Sequence, residues 1–212
     1  MEPDDLDADP VVQFAAWYER REGGAGWVAD VAREAGVDLS QDGMDASVCL
    51  ATADAEGVPD ARMVLLKSAD ARGFAFYTNE LSAKGVQLGA NPSAALVFLW
   101  HPRQVRVRGD VERVADAECD EYWRTRPRGS QLGAWASAQS SVIASRSVLE
   151  ARLADVTARF DGVDVPRPPY WRGYRVVPDE IEFWMHRDDR LHDRVLYRRE
   201  VDGSWRRDRL SP

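Results

Sequence analysis

The chain has 212 residues, 44% of them hydrophobic and 30% charged, the make-up of an ordinary globular protein with a core of useful size. A formal net charge of −8 argues against nucleic-acid or anionic-membrane partners, and no apolar run approaches a membrane span. The acidic start, MEPDDLDADP, lacks the apolar core of a secretory signal, and Cys49 and Cys119 have no metal-ligand spacing, so a cytoplasmic protein with buried thiols and no metal is expected.

After the leader, VVQFAAWYERR (11–21) carries apolar residues at helical spacing, with Phe14 and Trp17 set to pack on the body of the protein or on a second subunit. WVADVAREAG reads as a second helix ending at Gly36, which makes residues 1–40 an acidic leader and helical region. Residues 41–212 read as the main domain. ASVCLATAD, DARMVLLKSAD, GFAFYTN and SAALVFLWH are short, apolar and rich in β-formers, with glycine-containing turns between the first three. QVRVRGDVERV alternates charged and apolar residues, as a half-exposed antiparallel strand should. Three helical stretches follow: ADAECDEYWRTR, GSQLGAWAS and ASRSVLEARLADVTARF. YWRGYRVVP and EIEFWMH return to strand, and RVLYRREVDGSWRRDRL is a hairpin turning at Asp202-Gly203. The pattern predicts an α+β domain, mainly β: an antiparallel barrel with peripheral helices.

Only two of the 28 basic residues are lysines, Lys67 and Lys84. Ser82 is placed to cap a short helix, which puts Lys84 in its first turn, where the helix field disfavours a cation unless an anion sits beside it. Lys67 ends the apolar run MVLL and needs either water or a partner. Arg62 opens the same run; in a regular strand the odd separation puts the two on opposite faces, so a shared ligand requires a bulge or a long ligand. On one extended strand Arg190, His192 and Arg194 project to one side, able to hold an anionic or electron-rich ligand or simply to face solvent among Asp188, Asp189 and Asp193. Arg124, Arg126 and Arg128 precede Ser130, which follows the helix breakers Pro127 and Gly129 and could cap the next helix and offer its N–H groups to an anion. Each cluster is short and diluted by acids, which suits a phosphate and not a nucleic acid.

RMVLLK, FYTN, RPRGSQLGAWASAQSS and EFW followed by RLHDR, in that order between about Ala46 and Pro212, resemble the pyridoxamine 5′-phosphate oxidase family. The resemblance implies a homodimeric split β-barrel that holds FMN at the dimer interface, with the C-terminal segment in dimerisation. It implies oxidation of pyridoxine or pyridoxamine 5′-phosphate to pyridoxal 5′-phosphate by O2. It assigns Arg62, Met63, Val64, Leu65, Leu66, Lys67, Tyr77, Thr78, Lys84, Gln104, Gln139, Ser140, Trp184 and Arg194 to FMN. To the substrate it assigns Lys67, Tyr122, Arg126, Ser130, Arg190, Leu191 and His192, with Arg190 and His192 orienting the reacting ring. Both lysines thus fall where a compact ammonium is not freely replaced by a guanidinium. The chain departs from the family at Ala83, where an arginine is usual, at Met185, in the shorter WHPRQ loop before Gln104, and in the absence of an arginine-rich N-terminal lid. An oxidase of dihydrophenazines, or a non-catalytic flavin or pyridoxal-phosphate carrier, is the alternative.

Overall fold

A computed structural model describes residues 1–19 and 47–212, so the expected helix at 27–36 lies outside the described residues. The alternating apolar stretches become nine strands: β1 (Ser47–Ala53), β2 (Pro59–Leu65), β3 (Ser68–Asp70), β4 (Gly73–Asn79), β5 (Ser93–Trp100), β6 (Arg103–Arg113), β7 (Trp171–Met185), β8 (Asp193–Arg199) and β9 (Trp205–Arg209). All join one antiparallel sheet in the order β2-β1-β5-β6-β7-β4-β3, with β8 on β7 and β9 on β8. The two end strands, β2 and β3, are separated only by Leu66 and Lys67. Three residue steps reach about 10 Å at most, so the sheet must curl until its edges meet. The result is a barrel.

Residues 60–70, expected as one strand, break at that point. Leu66 turns into the core at 8% exposure, while Lys67 stays exposed and its N–H pairs with the Ala75 carbonyl of β4 at 2.8 Å. The parity that would separate Arg62 from Lys67 therefore does not apply. Residues 170–178 and 180–186, expected as two strands, form the single β7. Pro178 falls where the β6 register slips between Arg108 and Gly109, the kind of irregularity that tolerates a residue without an N–H. The other edge of β7 is shared: Trp171–Val176 pairs with β4 and Glu180–Met185 pairs with β8. That division splits the barrel.

Five helices are described: α1 (Pro10–Glu19), α2 (Ala83–Ala90), α3 (Asp116–Thr125), α4 (Arg128–Ala136) and α5 (Arg146–Arg159). α1 packs on its own barrel. Phe14, 2% exposed, meets Phe74 and Phe98 edge-on at 4.9 Å each, and Trp17 meets Phe183 at 5.1 Å. Burial of that size makes Phe14→Ala cost roughly 3–5 kcal/mol. A second core lies outside the barrel, where Cys119, Trp123, Leu132 and Phe160 pack with Ala75 and Trp171. β4 is thus buried on both faces: Phe74 and Phe76 point inward, Ala75 and Tyr77 toward the helices. Both cysteines are free thiols. No helix among the described residues is long and apolar enough to cross a membrane.

Candidate active site

The turn after β4 makes the first cluster. Ser82 caps α2 as expected: its Oγ accepts from the Gly85 N–H at 3.4 Å and donates to the Asn79 carbonyl at 2.6 Å. Gly85 is required, because a Cβ there would collide with the Glu80 main chain. Lys84 folds back beneath the turn at 8% exposure, its Nζ 3.3 Å from Ser82 Oγ and in no ion pair among the described residues. Burial pulls its amine below the ordinary 10.5, the Arg62 guanidinium adds to the shift, and Asp60 opposes it. Arg62 reaches in from β2, held by Thr52 Oγ1 (2.6 Å), Gln87 Oε1 (2.9 Å) and the Asp60 carboxylate. Two cations against one rim carboxylate leave the pocket short of an anion. Of the rest of the run, Met63 is exposed, Val64 and Leu65 are partly buried, and Ala83 is exposed on the first turn of α2. Sequence reasoning missed Gln87 and Thr52. Gln87, three residues after Lys84 on the same helix face, was legible from spacing; Thr52 was not.

The second cluster is an aromatic platform on the outer face of β4. Tyr77 stacks on Trp171 (5.1 Å, 10° between planes) and on Tyr122 of α3 (4.4 Å). Its strand partner, Gly173, makes room: a Cβ there would lie 2.7 Å from the Tyr77 ring. Burial pushes the Tyr77 phenol up to about 12. Lys67 Nζ stands 5.7 Å from the centre of the Tyr122 ring, and the Arg126 guanidinium lies 5.1 Å from Trp171 and 5.6 Å from Trp123. Arg126 donates to the Ser130 carbonyl at 3.3 Å, its Nε is buried without a partner, and no carboxylate pairs with it among the described residues. Lys67, Tyr122, Arg126 and Ser130 are therefore brought together. Ser130 does not cap α4. That helix starts at Arg128 behind Pro127, whose fixed φ suits the entry, so Ser130 sits inside the first turn. Trp171, which carries the platform, gave no signal in the sequence beyond its place at a strand start. Beside the platform Thr78 donates to Gln139 Oε1 at 3.3 Å, and Ser140 follows with a φ of 70°. A cleft of about 350 Å³ opens here, lined by Asn79, Leu81, Trp135, Gln139, Arg152 and Tyr170 among others.

The third cluster lies at the far end of β7. Gln104, Trp184 and Arg194 are direct partners across β6, β7 and β8, so their side chains form a row on one face. Arg194 donates to Glu182 at 2.7 Å. Arg190 and His192 are not on an extended strand with Arg194, contrary to expectation. Asp188–Arg190 is a 3-10 turn closed by the Leu191 N–H on the Asp188 carbonyl, with Asp189 (φ 54°) and Arg190 (φ 62°) both left-handed, and β8 begins only at Asp193. Arg190 and Leu191 are exposed. His192 lies against Trp184 at 4.7 Å and His186 at 5.1 Å, and His186 is 6.1 Å from His101, so all three histidines of the chain gather at this edge. Among the described residues no group of three or more His, Cys, Asp or Glu is placed to hold a metal ion.

From Gly173, opposite Tyr77, to Trp184 is eleven residues of one strand, a contour of at most about 36 Å at 3.3 Å per residue, bent where the register slips at Pro178. The platform that carries Arg126 and the cluster that holds His192 thus lie toward opposite ends of β7.

These features define a split β-barrel with two clusters of incompletely compensated cations, one at the start of α2 and one on the aromatic platform. Residues 45–160 match the family model of pyridoxamine 5′-phosphate oxidase, and residues 171–212 match that of the pyridoxine 5′-phosphate oxidase C-terminal dimerisation region. A pyridoxine/pyridoxamine 5′-phosphate oxidase of Ralstonia nicotianae is 50% identical over 210 residues, covering 98% of this chain and 91% of that protein. One of Azorhizobium caulinodans is 58% identical over 169 residues, 78% of this chain and 80% of its own. The crystal structure of PhzG from Burkholderia lata, in complex with tetrahydrophenazine-1-carboxylic acid, gives a TM-score of 0.81 at 30% identity, covering 100% of this chain and 96% of that one. The chain belongs to the pyridoxamine 5′-phosphate oxidase family.

Proposed function

We propose that the chain is an FMN-dependent oxidase that converts pyridoxine or pyridoxamine 5′-phosphate to pyridoxal 5′-phosphate, working as a homodimer. One observation carries the reading. In a protein of net charge −8, cations at two places stand without full compensation: Lys84 beside Arg62, and Arg126 and Lys67 on the aromatic platform. Two phosphates, one on the cofactor and one on the substrate, supply the missing charge. The curated relatives of about half identity carry the matching name.

Lys84 and Arg62, with Thr78, Gln139 and Ser140, would hold FMN at its phosphate end, and Tyr77 and the Met63–Leu66 run would line the site. Gln104, Trp184 and Arg194 of the second copy would meet the rest of the cofactor. Bound FMN supplies the two-electron acceptor, which O2 reoxidises with release of hydrogen peroxide. Arg126, Lys67, Tyr122 and Ser130 clamp the substrate phosphate. Arg126 already lies against two indoles and is partly desolvated, so little side-chain freedom remains to be lost on binding. Arg190 and His192 of the second copy orient the pyridine ring and its reacting substituent. The Arg187 N–H donates to His192 Nδ1, so the neutral imidazole carries its proton on Nε2. The placement of the two clusters toward opposite ends of β7, and the match of residues 171–212 to a dimerisation region, support a site shared between two copies.

The test is anaerobic mixing of the FMN-loaded protein with pyridoxine 5′-phosphate. The flavin absorbance should bleach, then recover on admission of air with formation of peroxide. A protein that takes up no FMN, or a flavin that stays oxidised, would refute the reading. The likeness to PhzG gives a second reading, oxidation of a reduced phenazine on the same fold. The Arg126–Lys67 clamp favours a phosphorylated substrate, and steady-state rates on the two substrates decide between them.

A further inference from the structure

One carboxylate ties both ends of the 186–193 loop. Asp193, the first residue of β8, is 5% exposed. Its Oδ2 accepts from Arg187 Nε at 2.7 Å and from the amino group of Met1 at 3.2 Å, and its Oδ1 accepts from Arg209 Nη2 at 2.9 Å. Arg187 stands just before the turn, and its main-chain N–H donates to His192 Nδ1 at 3.1 Å. Between these ties run Asp189 and Arg190, two successive left-handed residues of a kind that persists only where the surroundings hold it.

His192 needs such a hold. Its neighbours Trp184 and His186 lie tilted against the ring by 49° and 37°. Ring contacts of that sort are nearly indifferent to a half-turn of the imidazole, which exchanges Nδ1 with a carbon. The hydrogen bond from the Arg187 main chain is not indifferent. It selects one ring orientation and one neutral tautomer.

We propose that Asp193 is a positioning residue: through Arg187 it holds the 188–191 turn and fixes the orientation and tautomer of His192, so that His192 and Arg190 meet the substrate in one arrangement. The catalytic consequence rests on the oxidase reading; the clasp does not. Asp193 also ties Met1 and Arg209, so a purely structural role for it is the competing account, and the two are separable by variant. Arg187→Met removes the clasp and leaves the Arg209 and Met1 contacts in place. Arg209→Met removes the Arg209 contact and leaves the clasp and the Met1 contact in place.

The measurement is a two-bond proton–nitrogen correlation spectrum of the histidine rings in the FMN-loaded protein, at about pH 8 where an ordinary imidazole is neutral. His101→Gln and His186→Gln serve for assignment. Wild-type His192 should be the Nε2–H tautomer. Asp193→Asn and Arg187→Met should give a tautomer mixture. With pyridoxine 5′-phosphate, kcat in both should fall about 10- to 100-fold while KM stays within about threefold, because the phosphate clamp lies elsewhere. Arg187→Lys should restore part of the loss, and Arg209→Met should change neither readout. Arg187 is exposed, so its variants test the clasp even if Asp193→Asn fails to fold. A wild-type Nδ1–H tautomer, or an unchanged tautomer in Arg187→Met, overturns the clasp whatever the protein oxidises. Tautomer shifts as expected in a protein inert toward the vitamer would support the clasp and retire the oxidase reading.

Discussion

Lys84→Met removes a charge and keeps the aliphatic stem. In the FMN-loaded protein the lost group is a charge-assisted donor to phosphate, worth about 1.5–3 kcal/mol, so the dissociation constant for FMN should rise about 10- to 150-fold. In the FMN-free protein the effect on stability has the opposite sign. There the ammonium is buried at 8% exposure, depressed first by desolvation and then by Arg62, so its removal relieves a cost and the variant should melt no lower than wild type. The pH dependence follows from the same shift. With its folded value below 10.5, Lys84 in the FMN-free protein gives up its proton earlier than an unperturbed lysine. Phosphate favours the charged form, so binding above that depressed value takes up a proton, and FMN affinity should fall as pH rises toward 10.5. The variant should lack this component of the slope. FMN fluorescence titration and thermal melts of the FMN-free protein measure both halves. A variant that binds FMN within about twofold of wild type, or whose FMN-free fold is clearly weakened, would refute the reasoning.

Three further outcomes are expected. Arg126→Met should raise KM for pyridoxine 5′-phosphate by about 10- to 100-fold in steady-state assays and leave FMN affinity unchanged, because the lost donor is charged and already desolvated. Gly173→Ala drives a methyl group to 2.7 Å from both the Tyr77 ring and the Val114 side chain, which should cost about 1–3 kcal/mol in urea unfolding. Desolvation raises the Asp193 carboxyl, but hydrogen bonds from Arg187, the Met1 amino group and Arg209 outweigh it and hold the value at about 2, against 3.8 when unfolded. The unfolded chain therefore binds the proton first on acidification. The stability advantage of wild type over Asp193→Asn should be full above about pH 5 and lost as pH falls from there toward 2; an advantage that persists undiminished at pH 2 contradicts the assignment.

The barrel was legible in the sequence because its strands bury one face and alternate. β1 buries every second residue, and β6 does so over most of its length. Two boundaries were not legible. Nothing in DARMVLLKSAD marks the place where the chain leaves one sheet edge for the other; that follows from closure of the barrel, a long-range demand. Pro178 suggested a stop, but a slip in β6, invisible from β7 alone, accommodates it. At the site, Ser82 and Lys84 were readable from capping chemistry. The chain near His192 was not, because two consecutive left-handed residues are held by an arginine and a carboxylate that local propensity does not register. Trp171 escaped notice because its role depends on three elements, β4, α3 and β7, meeting face to face.

In the proposed dimer, one active site takes Arg126 from one copy and His192 from the other. Co-expression of Arg126→Met and His192→Ala subunits tests this most directly, assayed with pyridoxine 5′-phosphate below the wild-type KM, where each variant alone is strongly impaired. In a symmetric dimer with shared sites half of the molecules are mixed, and each mixed dimer has one intact site, so about a quarter of wild-type activity should return. A mixture no more active than its parents would mean that each chain builds its site alone, against the placement of the two clusters toward opposite ends of β7.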